Sequence, residues 1–283
     1  MTNKKKLAFF TPLPPTKSGI SDYSVDLGLA LSGYFDITYV VDNNALIPDQ
    51  NLIKFAQIIK LSQWNKKNKK DYLIFYQMGN NPYHNYIYDE AIIHPGFVLL
   101  HDYSIHHLML DRSQKNYNEY SNLLKKAKEV NNDLSKYINN VFFLPDLFKF
   151  ILPLNDLLIE KSSGIIVHSK SSFDKIKEKF PSKSLLQINF PVTPAHHSSQ
   201  YDLINLRAKY GLNSSDFIIS SFGFVTPPKQ IPLILQSLSL IKNDSINFKY
   251  LLVGDVHSSI NILKLIKKYN LNNHVEVIGY TDL

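Results

Sequence analysis

The sequence predicts an α/β protein with mostly parallel sheets, divided into two doubly wound domains. Three observations carry that expectation. Short apolar runs recur along the chain, such as FDITYVV at 35–41, DYLIFYQ at 71–77 and GIIV at 164–167. They are continuous instead of alternating, which marks strands buried on both faces. Helical stretches separate them, as βαβ units require. Polar and special residues gather where the strands end, at 11–19, 77–81, 101–102 and 168–169. Open parallel sheets bind ligands at that end.

The elements follow in order. Residues 6–11 form the first strand, and Pro12, Pro14 and Pro15 stop it, because proline brings no ladder N–H. Lys17-Ser18-Gly19 is a small loop. Ser21 stands as the N-cap of a helix over 21–32, with Asp22 in its first turn. A strand, a glycine-bearing loop and a helix N-terminus together make an anion site. Residues 35–41 are the second strand, whereas 52–64 fit neither helix nor strand clearly. The strand at 71–77 runs into a turn cluster at 78–82, followed by a helix at 83–91 and a turn at 94–96. A strand at 97–100 ends on His101 and Asp102. One helical stretch then runs from 105 to 150, broken near Asn116 and at Pro145; its apolar end, 147–158, reads as a core or interfacial helix. A helix at 156–161 leads to a strand at 164–167 ending on His168 and Ser169. A helix at 171–179 and a strand at 185–190 complete a first domain over residues 1–195.

Residues 191–199 (PVTPAHHSS) are a linker by composition. The second domain, 196–283, opens with a helix at 201–210 ended by Gly211. Strands follow at 217–222, 248–253 and 274–278, trailed by Gly223, Gly254 and Gly279, with helices at 231–240 and 260–269 between them. Three strands with an open edge leave this domain incomplete.

Composition narrows the function classes. The 283 residues are 44% hydrophobic and 12% aromatic, enough for well-filled cores. The absence of cysteine excludes disulfides and thiolate metal sites and agrees with a reducing cytosol. After Lys4-Lys5-Lys6 the apolar run breaks on Thr11-Pro12, too soon for a secretory signal. No segment reaches the roughly 20 apolar residues of a spanning helix. The net charge is +7, with lysines clustered at 4–6, 66–70 and 125–128. These are either a solvated face or a surface for anionic partners, including a membrane. Trp64 beside NKKNKK would suit such an interface. Scarce arginine and the lack of a nucleic-acid motif exclude nucleic acid as a partner.

The ordered series of segments resembles the retaining glycosyltransferases of family 4. The segments are PPTKSGISDY at 14–23, YQMGNNPYH at 76–84, LLHDYSIHHL at 99–108, IIVHSKSS at 165–172, FGFVTPPKQIPLILQSL at 222–238, LLVGD at 251–255 and VEVIGYTDL at 275–283. Together they cover almost the whole chain, and they look most like bacterial enzymes that build surface polysaccharides. The resemblance implies a GT-B-like fold of two Rossmann-like domains, the second incomplete here. It implies transfer of a sugar, of hexosyl type, from a nucleotide-diphosphate sugar to a glycan or lipid-linked acceptor. It implies front-face transfer with retention, the leaving phosphate assisting deprotonation of the acceptor, with no cofactor and no metal. By position, His101 would lie near the donor sugar and Lys229 would neutralise the diphosphate. Gly19, Gly223 and Gly254 would let the backbone approach the phosphates, and Gly279 and Tyr280 would lie by the base. Ser18, Tyr23, Asn80 and Asp102 fall on the acceptor side.

The sequence departs from the family pattern in three places. Phe224 stands where arginine is frequent, and Gln230 replaces the glycine that usually follows the lysine. The paired-glutamate motif and the final crossing helix are not in the sequence, as expected of a truncated product, a fragment or half of a split enzyme. A complementing C-terminal chain is then an expected partner. The protein is expected in the cytoplasm, with peripheral contact at the inner face of the membrane.

Two further readings stand beside sugar transfer. One is a non-catalytic acceptor-binding or scaffold subunit that completes its cleft with a partner chain. The other, a nicotinamide-dependent oxidoreductase, lacks Gly-x-Gly-x-x-Gly after either first strand. Lys229 is alternatively a surface lysine and His101 a strand-end histidine satisfied by its neighbours. His106 and His107 with Asp102 or Asp111 fit no tight metal spacing. His168-Ser169 has no nucleophile elbow around it.

Overall fold

The computed structural model describes residues 4–48, 53–114, 117–130, 151–191, 200–242 and 247–281. The chain divides into two compact units, Met1–Pro191 and Val192–Leu283.

The first unit is built on a seven-stranded, wholly parallel sheet. Its strands are β1 (Lys5–Phe10), β2 (Phe35–Val41), β3 (Ala56–Lys60), β4 (Tyr72–Met78), β5 (Phe97–Leu100), β6 (Gly164–Val167) and β7 (Leu185–Gln187). The spatial order is β3-β2-β1-β4-β5-β6-β7. The chain first builds outward from β1 through β2 and β3, then returns to the other side of β1 with β4. The loops after β1 and β4 therefore diverge at a topological switch point, the crevice where such sheets bind ligands.

Adjacent residues of each strand feed opposite faces, and both faces are buried. Phe10, Val40, Tyr76, Met78, Val98, Leu100, Ile165 and Val167 enter one core. Leu7, Phe9, Ile37, Tyr39, Val41, Phe75 and Leu99 enter the other. This is why the strands read as unbroken apolar runs. Within the stretch that fits neither pattern clearly, residues 56–60 are edge strand β3 and 61–64 a single helical turn, α2 (Leu61–Trp64). Trp64 is 0% exposed, meets Phe10 edge-on at 5.3 Å, and donates Nε1–H to Glu90 at 3.1 Å. Its expected place at a membrane interface is thus corrected: the indole is core, and only the neighbouring lysines face outward.

Helix α1 (Gly19–Leu31) starts earlier than expected. Its N-cap is Ser18, extended at φ −151° and ψ 129°, whose Oγ accepts from the Ile20 N–H at 3.3 Å. Ser21 is already inside the first turn and fully buried, so it cannot cap. After β4, a 3₁₀ turn (Pro82–His84) precedes α3 (Asn85–Ile93). The long helix expected from 105 is instead α4 (His106–Ser113) and α5 (Tyr117–Val130). Residues 115–116 and 131–150, including the expected break at Pro145, lie outside the described residues. Most of 151–155 is not helical, contrary to the expected helix; its Leu152 and Leu154 still enter the core, and α6 (Asp156–Lys161) begins only after Asn155. Helix α7 (Lys170–Lys179) follows β6. Strand β7 stops at Gln187, three residues short of the expected end. The linker at 192–199 lies outside the described residues.

The second unit contains α8 (Gln200–Lys209), β8 (Phe217–Phe222), α9 (Ile231–Ile241), β9 (Phe248–Val253), α10 (Ile262–Lys268) and β10 (Val275–Gly279). Its sheet is parallel in the order β10-β9-β8. Phe248, Tyr250 and Leu252 share one face of β9, and pack there with Ile231, Leu235 and Leu238 of α9 and Ile262 and Ile266 of α10. Both helices thus cover the same side. Strand β8 has no described neighbour on its outer edge, and Phe222 at its end is 71% exposed.

Candidate functional site

The carboxyl edge of the first unit gathers side chains from six segments. Strand β4 contributes Gln77, whose side chain is fully buried. Its Oε1 lies 2.6 Å from Nε2 of His101, the residue that follows β5. The His101 backbone N–H donates to Met78 O at 2.9 Å, holding the loop against β4. Tyr23 of α1 meets the His101 ring edge-on at 4.9 Å, and His168, following β6, lies 5.6 Å away. Phe190 lies tilted against Tyr23 at 5.2 Å and meets His168 edge-on at 5.0 Å. His84 sits beneath, donating Nδ1–H to the Gln77 carbonyl at 2.9 Å.

Burial decides the charge of this group. The His101 ring is held down to a pKa of about 3, mainly by burial, then by the nearness of His168 and His84. His84 falls to about 4 through burial, against the pull of its bond to the Gln77 carbonyl. Burial pushes the Tyr23 phenol up to about 12. Near neutral pH these rings are therefore uncharged hydrogen-bonding groups. Among the described residues, five of the nine buried side-chain atoms without a partner lie here: Ser21 Oγ, Tyr23 Oη, Gln77 Nε2, His84 Nε2 and His168 Nε2. That concentration of unmet polarity sets this edge apart from the rest of the core.

The other expected residues of this unit are placed as follows. Ser18 spends its hydroxyl on the α1 cap. Gly19 opens the helix, and a Cβ there would meet nothing within 4 Å, so the fold itself does not require glycine. Asn80 braces two loops: its backbone N–H donates to Asp102 at 3.1 Å, its side-chain oxygen accepts from the Leu108 N–H at 3.0 Å, and its amide nitrogen meets His107 Nδ1 at 3.1 Å. Partial burial raises the Asp102 carboxyl above the usual range, while the Asn80 N–H and His107 oppose the shift. His106 points away from His107 into the core, donating Nδ1–H to Leu152 O at 2.7 Å and accepting from Tyr120. The two histidines share no metal position, and among the described residues no three metal-ligating side chains converge. Ser169 is occupied as the cap of α7, accepting from the Ser172 N–H at 3.1 Å.

In the second unit, Gly223, Gly254 and Gly279 all lie at the carboxyl ends of the strands, with Tyr280 following. Gly223 has φ +85°, a conformation that glycine alone adopts without strain. Gly254 has φ +144°, and a Cβ on it would strike the Gly223 carbonyl group. A bridge ties Gly254 to Gly279. The 3₁₀ turn Pro227–Lys229 brings the Lys229 ammonium back onto the Phe222 carbonyl, where a Cβ on Gly223 would lie 3.0 Å from Nζ. The Gly223 N–H is spent on Val253 O at 2.8 Å, so its contribution is close approach of the backbone and not donation. Phe224, which stands where arginine is frequent in the family pattern, is half exposed and meets His257 edge-on at 5.9 Å. Gln230 lies in the left-handed region, at φ 55° and ψ 31°, which explains why glycine suits this position.

Sequence reasoning missed Gln77 and His84 as neighbours of His101, and Phe190 as a neighbour of Tyr23 and His168. Gln77 was visible only as one of the polar residues at a strand end, and Phe190 looked like one more apolar strand residue.

Residues 203–283 match the family described as Glycosyl transferases group 1. No match is found among curated proteins. Among solved structures, Anabaena HepE in complex with UDP and glucose superposes with a TM-score of 0.58 at 13% identity, over 98% of this chain and 70% of that one. A glycosyltransferase from Rickettsia africae gives 0.53 at 17% identity, over 99% and 69%. Medicago truncatula UGT71G1, complexed with UDP-glucose, gives 0.51 at 14% identity, over 98% and 72%. The fold is GT-B. The family match and this fold together support a GT-B glycosyltransferase.

Proposed function

We propose that this chain is a retaining glycosyltransferase of the family 4 type. It moves a hexosyl group from a nucleotide-diphosphate sugar to a glycan or lipid-linked acceptor, in the synthesis of bacterial surface polysaccharide. One observation carries the reading. Within the segment that matches the family, an exposed lysine ammonium is folded over a glycine turn at the carboxyl end of β8.

The chemistry follows from that arrangement. The bond between the anomeric carbon and the diphosphate oxygen breaks, and negative charge grows on the phosphate. Lys229 neutralises it, and the bare backbone of Gly223 lets the phosphate come close. The acceptor oxygen bonds to the anomeric carbon, and its proton passes to the departing phosphate. The first unit supplies His101 as a neutral ring that accepts a hydrogen bond from a sugar hydroxyl, with Tyr23, Asn80 and Asp102 on the acceptor side. No metal enters these steps. A peripheral position at the inner face of the membrane is part of the proposal, supported by exposed Lys66, Lys67, Lys70, Lys125 and Lys126. Sedimentation with anionic vesicles checks it.

The test is release of nucleoside diphosphate from a panel of nucleotide sugars, paired with calorimetric titration of the free diphosphates. Lys229→Met is expected to lower kcat by about 100- to 1,000-fold. Its stability should stay within about 0.5 kcal/mol of wild type, because the ammonium is exposed. Absence of both diphosphate binding and release overturns the proposal. Retained binding of acceptor glycan in that case favours the scaffold-subunit reading, which the outer edge of β8, without a neighbour among the described residues, also supports.

A further inference from the structure

Gln77 is an uncharged amide at the place where a carboxylate would commonly orient a histidine. Its side chain is wholly buried, and Oε1 stands 2.6 Å from His101 Nε2. An amide oxygen carries no proton, so the proton between them belongs to Nε2. The lone pair of the neutral ring then sits on Nδ1, which makes no hydrogen bond among the described residues. The ring cannot easily turn, because Tyr23 lies edge-on at 4.9 Å and His168 lies at 5.6 Å.

We propose that Gln77 is a positioning residue that holds His101 in the Nε2–H tautomer, so that Nδ1 serves only to accept a hydrogen bond from a substrate hydroxyl. The proposal rests on the sugar-transfer reading for the identity of that hydroxyl. The titratable groups around the ring are Tyr23 of α1, His84 after β4, His168 after β6, and Asp102 next in the chain. The two histidines disfavour an imidazolium, and Asp102 accepts from the Asn80 N–H. An amide is the partner that directs the ring without charging it. A carboxylate in its place would draw a second proton onto the imidazole and convert the acceptor into a donor. Gln77 is itself anchored by its backbone carbonyl, which accepts from His84 Nδ1 at 2.9 Å. Gly79 leaves room for the His84 ring, since a Cβ there would lie 2.7 Å from His84 Nε2.

The experiment is nitrogen-15 NMR of the histidine rings in the full chain, with His101 assigned by its loss in His101→Asn. The wild-type ring should carry its proton on Nε2 and show no titration between about pH 5 and about pH 8. Gln77→Glu, of the same shape, should bring a His101 titration into that window. Gln77→Met should yield a mixture of tautomers. With nucleotide sugar, Gln77→Met should lower kcat about tenfold with little change in KM, since one oriented hydrogen bond is lost. A wild-type proton on Nδ1, or His101 signals unchanged in both variants, overturns the proposal. If Gln77→Met does not fold, the Gln77→Glu titration decides alone. A failure of sugar transfer shows as missing turnover, whereas a failure of this proposal shows in the ring spectra, so the two are told apart.

Discussion

Replacing Gly254 by alanine tests whether the phosphate-side loops are shaped by backbone contact. The added Cβ would collide with the Gly223 carbonyl oxygen and lie 2.6 Å from its carbon, which belong to backbone and cannot rotate away. The φ of +144° is also one that L-residues rarely adopt. Backbone strain of this kind costs about 1–3 kcal/mol. Forcing the Gly223 turn aside costs roughly another 1–3 kcal/mol. The loss is therefore about 2–6 kcal/mol, which corresponds to between about 30-fold and about 25,000-fold in an equilibrium constant. Hydrogen exchange measured on peptides covering β8 and β9 reads it directly, as a fall in protection of that size. Gly19→Ala is the control. Its Cβ meets nothing within 4 Å, and protection in α1 should be unchanged or slightly raised. Gly254→Ala protection within twofold of wild type would refute the reasoning, because the clash would then be absorbed without cost.

Three further outcomes are expected. Gln230→Gly should stabilise the second unit by about 0.5–1 kcal/mol in urea denaturation, relief of left-handed strain outweighing the entropy of glycine. Stability should fall on acidification. His84 is held at about 4 in the folded chain against about 6.5 when unfolded, so the unfolded state binds the extra proton between those values. The His84 contribution is thus complete above the unfolded value and is lost as pH drops toward 4, by roughly 3 kcal/mol. His101, held at about 3, adds a loss of the same sign. Denaturant midpoints from about pH 7.5 to about pH 4.5 check this, and a flat profile would count against neutral burial. Trp64→Phe should cost about 1–3 kcal/mol, by leaving Glu90 without its buried N–H donor, and calorimetry measures it.

Much of the architecture was legible because burial on both faces leaves a one-dimensional trace. The runs at 35–41, 97–100, 164–167, 217–222 and 248–253 are the strands the structure contains. Helix starts were less legible. Ser18 and Ser21 are both good caps by composition, and only the extended backbone at Ser18 decides between them. The indole of Trp64 beside a lysine run read as interfacial because the sequence cannot show a side chain turning inward to Phe10 and Glu90.

By itself the sequence determined the parallel α/β class, the strand ends where polar residues collect, and the glycine and lysine at the close of β8. Periodicity, proline and glycine act locally, and their effects survive without knowledge of distant contacts. Only the tertiary structure decided that β1 and β4 flank the point where strand order reverses. It alone paired Gln77 with His101 across 24 residues of chain, set Tyr23 and His168 around that ring, and pressed Gly254 onto Gly223. Those are contacts between segments far apart in the chain, where strand order and side-chain direction, unlike composition, determine which atoms meet.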